Sequence, residues 1–136
     1  MSPHLQKTIS FLEQLSPITV SSIDEIYSND VVFKDPFNEI KGREKMREIY
    51  EKLFEQFPNL VFRVLDVVEE EKTAFMNWEM TFKAFGKEQV VHGASHLKFA
   101  DGLKLSYQRD YWDSSEEVFE KIPFLGAVFN LTRKVF

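Results

Sequence analysis

Apolar positions along the chain change rhythm twice, and the changes divide it into helical and extended parts. After Ser2-Pro3, Leu5, Ile9 and Leu12 recur at helical spacing until Ser16-Pro17 interrupts them. Proline at a first helical position gives up only an N–H that has no partner, so Ser2-Pro3 predicts a helix start. Ser22-Ile23-Asp24-Glu25 has capping-box spacing and predicts a short helix running to about Tyr27. Past Gly42 the period is clearest. Met46, Ile49, Tyr50, Leu53, Phe54 and Phe57 make one continuous face, Lys, Arg and Glu fill the other side, and Pro58-Asn59 ends the run.

From Leu60 to Trp112 the pattern reads as strand. A long strand covers roughly 61–68, with a turn at Glu69-Glu70-Glu71-Lys72. The next runs from Thr73 to Phe85, with Ala74, Met76, Trp78, Met80, Phe82 and Ala84 on one side and Asn77, Glu79, Thr81 and Lys83 on the other. Gly86-Lys87 turns into a third strand through about Phe99, Asp101-Gly102 is a hairpin signal, and a fourth strand closes at Trp112. Helix, helix, short hairpin, long helix and a four-stranded antiparallel meander predict an α+β domain with helices on one face of a curved sheet. Asp113-Ser114-Ser115-Glu116 and Pro123 predict a helical tail over 114–136 that carries Phe124, Leu125, Val128, Phe129 and Leu131. That tail can close the wide end of the domain or pack on a second subunit. Its Arg133 and Lys134 also allow a membrane-surface helix, which ranks lower because the polar face has few charges.

Composition narrows the function classes. A length of 136 residues fits one domain, 1–136, and 43% hydrophobic residues supply a core whose 14 Phe make bulky, rigid walls. The net charge of -5 argues against nucleic acid, which is bound through clustered Lys and Arg. With no Cys there is no disulfide, thiolate nucleophile or cysteine metal site. The first residues lack the pattern of a signal peptide, and no apolar run approaches the roughly 20 residues that span a bilayer. The expectation is a soluble, cytoplasmic protein.

Two segments carry candidate chemistry: Val32-Phe33-Lys34-Asp35-Pro36-Phe37 and Tyr107-Gln108-Arg109-Asp110-Tyr111-Trp112-Asp113. Each sets a carboxylate among aromatic rings, where lost hydration raises a carboxyl pKa towards the range useful for proton transfer at neutral pH. Asp35 before Pro36 has a plainer reading as the cap of its own turn. Asp110 has one as half of an ion pair, yet a mid-strand acid beside aromatics forms strand poorly and needs a reason to be there. Simple alternation puts Leu103, Leu105, Tyr107 and Tyr111 on the apolar side and turns Asp110 outward. Trp78 and Met80 are explained by core packing, with a cavity wall as the second reading. His92 and His96 share one strand face with no evident third ligand, so an outer or interface position is expected and a metal is not.

The element order and the segment Val32 to Tyr50 resemble the nuclear transport factor 2-like superfamily of cone-shaped (cystatin-like) α+β domains, in its SnoaL-like, polyketide cyclase-like branch. More distantly the chain is similar to ketosteroid isomerase and limonene-epoxide hydrolase. The resemblance places Asp35 where the isomerase keeps its proton-abstracting carboxylate. That enzyme's oxyanion hole uses a Tyr and an Asp that an apolar site keeps protonated. These align near Phe11 and with Ser95, which argues against a steroid isomerase. Asp110 falls where the hydrolase and the SnoaL-type cyclases keep a catalytic Asp. The hydrolase's Arg and Asp on an earlier strand align with Trp78 and Met80, which argues against epoxide hydrolysis.

The resemblance also turns Gln108, Asp110 and Trp112 inward, and that orientation is preferred here. It implies Asp35 and Asp110 as a proton-handling pair, Ser95 and Gln108 orienting polar groups, and Phe33, Trp78, Met80 and Trp112 as walls for a small hydrophobic molecule. No cofactor is implied. A homodimer through the outer sheet face is, since Tyr107 and Tyr111 would otherwise be exposed. Three readings stay open: an acid–base enzyme, a non-catalytic binding domain with the same pocket, and a dimeric interaction module.

Overall fold

Ser2 does what its position predicts: its Oγ accepts from the Leu5 amide at 3.3 Å and caps α1, Pro3–Glu13. The fold is that of a computed structural model, which describes residues 1–112. The expected tail over 114–136 lies outside the described residues. Leu5, Phe11 and Leu12 of α1 are buried.

The second helix differs from its expectation. It is a 3-10 helix over Thr19–Glu25 and stops before Tyr27, which opens the first strand. Two local effects account for this. The Ser16 Oγ accepts from the Ile18 and Thr19 amides at 3.2 and 3.1 Å, so turning begins upstream of Ser22. The buried residues, Val20 and Ile23, are three apart, which is the 3-10 period.

The helix α2, Arg43–Gln56, opens on Gly42, whose φ of 108° lies in a region that glycine adopts at little cost. Its predicted stripe, Met46, Ile49, Tyr50, Leu53 and Phe54, is buried, as is Phe57 at its end.

Six strands form one curved sheet: β1 Tyr27–Lys34, β2 Glu39–Lys41, β3 Val61–Glu70, β4 Thr73–Ala84, β5 Lys87–Phe99 and β6 Leu105–Tyr111. Their order is β2-β1-β6-β5-β4-β3. The meander is there, but the hairpin β1–β2 does not stand apart from it: β1 pairs with β6, and that pairing is parallel. On β4 the alternation holds, with Ala74, Met76, Trp78, Met80 and Phe82 buried against the helices. The domain is α+β, with α1 against β3, and α2 and the 3-10 helix against β1 and each other.

On β6 the sequence alternation breaks, and the register shows why. Lys98 pairs with Tyr107 and the next residue, Phe99, with Leu105, so Ser106 is an extra residue on the bulged strand. Its Oγ donates to the Lys98 carbonyl at 3.2 Å. A one-residue slip exchanges the two faces of a strand. Leu105 is therefore fully buried before the bulge, and Gln108 and Asp110 face inward after it. The inward orientation of Asp110 and the apolar burial of Leu105 are both satisfied. A second bulge, at Leu65 between Val64 and Asp66, interrupts the register of β3 with β4.

Candidate functional site

The parallel seam brings the two acids to the same end of the sheet. Lys34 pairs with Arg109, so Asp35 and Asp110, one residue further along each strand, come side by side. Asp35 is buried, and its carboxylate is the keystone of a turn. Oδ1 accepts from the Phe37 and Asn38 amides at 2.8 and 2.6 Å, and the Asn38 Nδ2 donates to both oxygens at 3.1 Å. The Asp35 amide also donates to the Asn38 carbonyl at 2.9 Å. This is the capping arrangement that Asp before Pro36 favours.

Asp110 sits differently. No Lys or Arg among the described residues pairs with it. The residue is half-buried, but its carboxyl end is enclosed and held by two converging lines of donors. On one side the Trp78 Nε1–H donates to the Ser95 Oγ at 2.8 Å, and Ser95 donates to the Asp110 Oδ1 at 2.5 Å. On the other, the Gln108 Nε2 donates to Oδ1 at 3.1 Å and to Oδ2 at 3.4 Å. The Gln108 Oε1 in turn accepts from the Tyr27 hydroxyl at 2.6 Å. Tyr27 and Tyr50 hydroxyls lie 2.7 Å apart. Because the Tyr27 hydrogen goes to Gln108, Tyr50 donates to Tyr27, and the line runs one way.

Burial pushes the Asp110 carboxyl up to about 7, outweighing the Ser95 and Gln108 hydrogen bonds that lower it, and the charge of Asp35 pushes the same way. Burial likewise raises both phenols, so Tyr27 and Tyr50 stay neutral donors.

One close approach makes the Trp78–Ser95 bond possible. Gly93 pairs with Trp78 across the strands, and a Cβ on it would collide with the Trp78 Cη2 and Cζ2. The indole lies flat over the bare backbone and reaches Ser95. Trp78 also meets Phe62 and Trp112 edge-on, with centroids 5.7 and 6.2 Å apart.

Two small voids flank this indole. One of about 30 Å3 is lined by Phe33, Asp35, Tyr50, Met80, Asp110 and Trp112 among others, and one of about 20 Å3 by Tyr50, Ser95, Gln108 and Asp110 with apolar neighbours. Each is of one-water size, and the Trp78 side chain lines both. A wider groove of about 530 Å3 runs over the ends of β1 and β6, and Asp35, Asp110 and Trp112 line both it and the larger void.

All eight residues singled out in the sequence therefore border these spaces: Asp35, Asp110, Phe33, Trp78, Met80, Ser95, Gln108 and Trp112. Sequence reasoning misses Tyr27 and Tyr50. Tyr50 looks like an ordinary member of an apolar helix stripe, and Tyr27 falls at the end of an expected helix. The signal available is that a buried phenol needs a polar partner. Their rings fill the region near Phe11, which meets both edge-on at 6.1 and 6.4 Å. His92 and His96 face outward. His96 stacks on Phe75 at 4.3 Å, and no group of three metal-ligating side chains is found among the described residues.

Comparison with known proteins follows the same lines. A family model described as a SnoaL-like domain matches residues 10–107. A protein assigned to the SnoaL-like polyketide cyclases, from Jannaschia sp. CCS1, superposes with a TM-score of 0.72 at 18% identity, covering 85% of this chain and 92% of its own. TerC, co-crystallised with polyporic acid, gives 0.73 at 12% identity, covering 85% and 95%. An epoxide hydrolase from M. tuberculosis, like limonene-epoxide hydrolase, gives 0.67 at 13%, covering 97% and 92%. At these identities the likeness is one of fold. No curated protein sequence matches the chain.

Proposed function

The chain belongs to the SnoaL-like domain family, and on that premise we propose that it acts on a small hydrophobic molecule by general acid–base catalysis centred on Asp110. The observation that carries the proposal is the Asp110 carboxyl itself: held by donors from two sides, pushed up to about 7 by burial, and bordering both an inner void and the groove outside it. A group with that pKa is present in both protonation states at neutral pH, so it can give or take a proton without a large thermodynamic penalty.

Within this reading the two acids have unequal roles. Asp35, occupied with its turn, contributes charge that raises Asp110; Asp110 carries the proton. Ser95 and Gln108 hold the carboxyl, and Phe33, Trp78, Met80 and Trp112 exclude water from the reacting group. The acid-bearing groove over the ends of β1 and β6 is where the ligand enters. TerC's co-crystal with polyporic acid supports a small organic ligand for a domain of this shape.

Self-association belongs to the same proposal. On the outer sheet face Phe75, 52% exposed, His96 and Tyr107 form an aromatic row, with Tyr111 47% exposed nearby. A second copy of the chain is the proposed cover, and sedimentation showing only monomer at micromolar concentration refutes it.

Asp110→Asn tests the chemistry. Turnover of a substrate drawn from a panel of small aromatic and polyketide-like molecules is lost, by roughly 100-fold or more, while binding measured by calorimetry is retained. Ligand binding with no turnover by the unaltered protein across the panel would instead make this a binding domain.

A further inference from the structure

Gln108 is an amide, and an amide can present either its oxygen or its nitrogen to a neighbour. Here the carboxylate sets the choice. The Asp110 carboxylate only accepts, so it calls for the Nε2 hydrogens, and Oε1 is left to accept from the Tyr27 hydroxyl at 2.6 Å. Behind Tyr27 stands the Tyr50 hydroxyl at 2.7 Å, whose hydrogen supplies the bond that Tyr27 accepts. The three groups come from β1, α2 and β6, and their contacts with one another are buried.

The consequence falls on one oxygen. Oδ1 accepts from both Ser95, at 2.5 Å, and Gln108, at 3.1 Å, whereas among the described residues Oδ2 has only the 3.4 Å approach of Gln108. At 3.4 Å that contact is long for a hydrogen bond.

We propose that Tyr27 is a positioning residue: through Gln108 it pins the Asp110 Oδ1 as an acceptor and leaves Oδ2 as the oxygen that takes and gives the proton. The inference rests on the reading of Asp110 as the proton carrier and adds which atom carries it and what holds it. The donor line is also an electrostatic device. Each hydrogen bond in it polarises the next, so the carboxylate draws on the Tyr50 and Tyr27 dipoles without touching either ring. If the amide turned round, its oxygen would face a carboxylate oxygen, and the charged form of Asp110 would lose its support from this side.

Among the described residues the groups that titrate around Asp110 are few, with Lys34, Glu39 and Arg109 along the groove that it borders. Tyr27 faces it from β1, Tyr50 from α2 and Asp35 from the turn after β1; β4 and β5 present Trp78 and Ser95, which do not ionise in the working range. The protonation midpoint of Asp110 therefore reports on this line directly.

The test is a carboxyl 13C NMR titration of Asp110 in the full-length protein, with no ligand needed. Tyr27→Phe keeps the ring and removes the hydrogen, and it raises the Asp110 midpoint by about one pH unit, a tenfold gain in proton affinity. Gln108→Met raises it by at least as much, and the double variant goes no further than Gln108→Met alone, because Tyr27 acts only through the amide. Tyr50→Phe, which keeps the direct bond to Gln108, shifts the midpoint the same way by less, and serves if Tyr27→Phe does not fold. An unmoved midpoint in Tyr27→Phe and Tyr50→Phe, or shifts that add in the double variant, overturns the relay. A wild-type midpoint in the ordinary aspartate range overturns the reading of Asp110 instead, so the two failures are told apart.

Discussion

Replacing Asp110 by Asn should flatten the pH dependence of stability, and the size of the effect follows from one carboxyl. Its pKa is about 7 in the folded chain, against 3.8 for an aspartate exposed to water. The folded form thus holds the proton more tightly than the unfolded form. The protonated state supports the fold fully below about pH 4, the support is lost as the pH rises through about 7, and above about pH 8 the whole difference is a penalty. Three pKa units at about 1.4 kcal/mol each make that penalty about 4 kcal/mol, an upper figure because water and side chains relax around a buried charge. Between pH 5 and pH 8 the loss is about 2–3 kcal/mol.

Asn carries no such titration. Urea unfolding of both proteins at pH 5 and pH 8 isolates the effect, because every other ionisable group is common to the two. The constant offset from exchanging an acid for an amide cancels in the comparison. We expect Asp110→Asn to gain about 2–3 kcal/mol on the wild type between the two pH values. Parallel pH profiles would show that the carboxyl is solvated in the folded chain, and the electrostatic argument for the site would fall with it.

Two further changes test the packing. Gly93→Ala drives a methyl into the Trp78 ring, so the indole must leave Ser95. The cost is about 2–4 kcal/mol in urea unfolding, accompanied by a red shift of tryptophan emission, and a cost below about 0.5 kcal/mol would mean that the indole does not lie there. Leu103 sits at the tip of the β5–β6 turn with φ 61°, while 47% exposed, so Leu103→Gly relieves strain and gives up little burial. Its melting temperature should rise, by the equivalent of up to about 1 kcal/mol. A lower melting temperature would refute the strain.

The helices α1 and α2 and the faces of β4 were legible because one property, burial on a fixed period, decides them. What the sequence could not show came from register. The Asp101-Gly102 pair marks the β5–β6 turn correctly, yet the left-handed position falls on Leu103, since strand pairing and not residue preference fixes where the turn closes. Ser106 gives no sign of being an extra residue, because a bulge is defined by the partner strand, and so alternation alone misreads the face of Asp110. Asp110 is visible as a type out of place in a strand, whereas Tyr27 and Tyr50 are hidden among apolar neighbours. Only their distances to each other and to Gln108 set them apart. Asp35 shows the converse: its plainer reading, as the cap of its own turn, is what the hydrogen bonds describe.

The parallel seam between β1 and β6 has a kinetic consequence. It joins Phe33 to Gln108, so the contacts that bring the two acids together are among the most distant along the chain. Pairings of such high contact order close late and slowly, after local helices and hairpins have formed. Until the last strand docks, β1 and β5 each keep a bare edge of unsatisfied backbone groups, which invites pairing with other chains. Docking of β6 therefore brings the acids together and covers those two inner edges in one step, leaving β2 and β3 as the edges of the finished sheet.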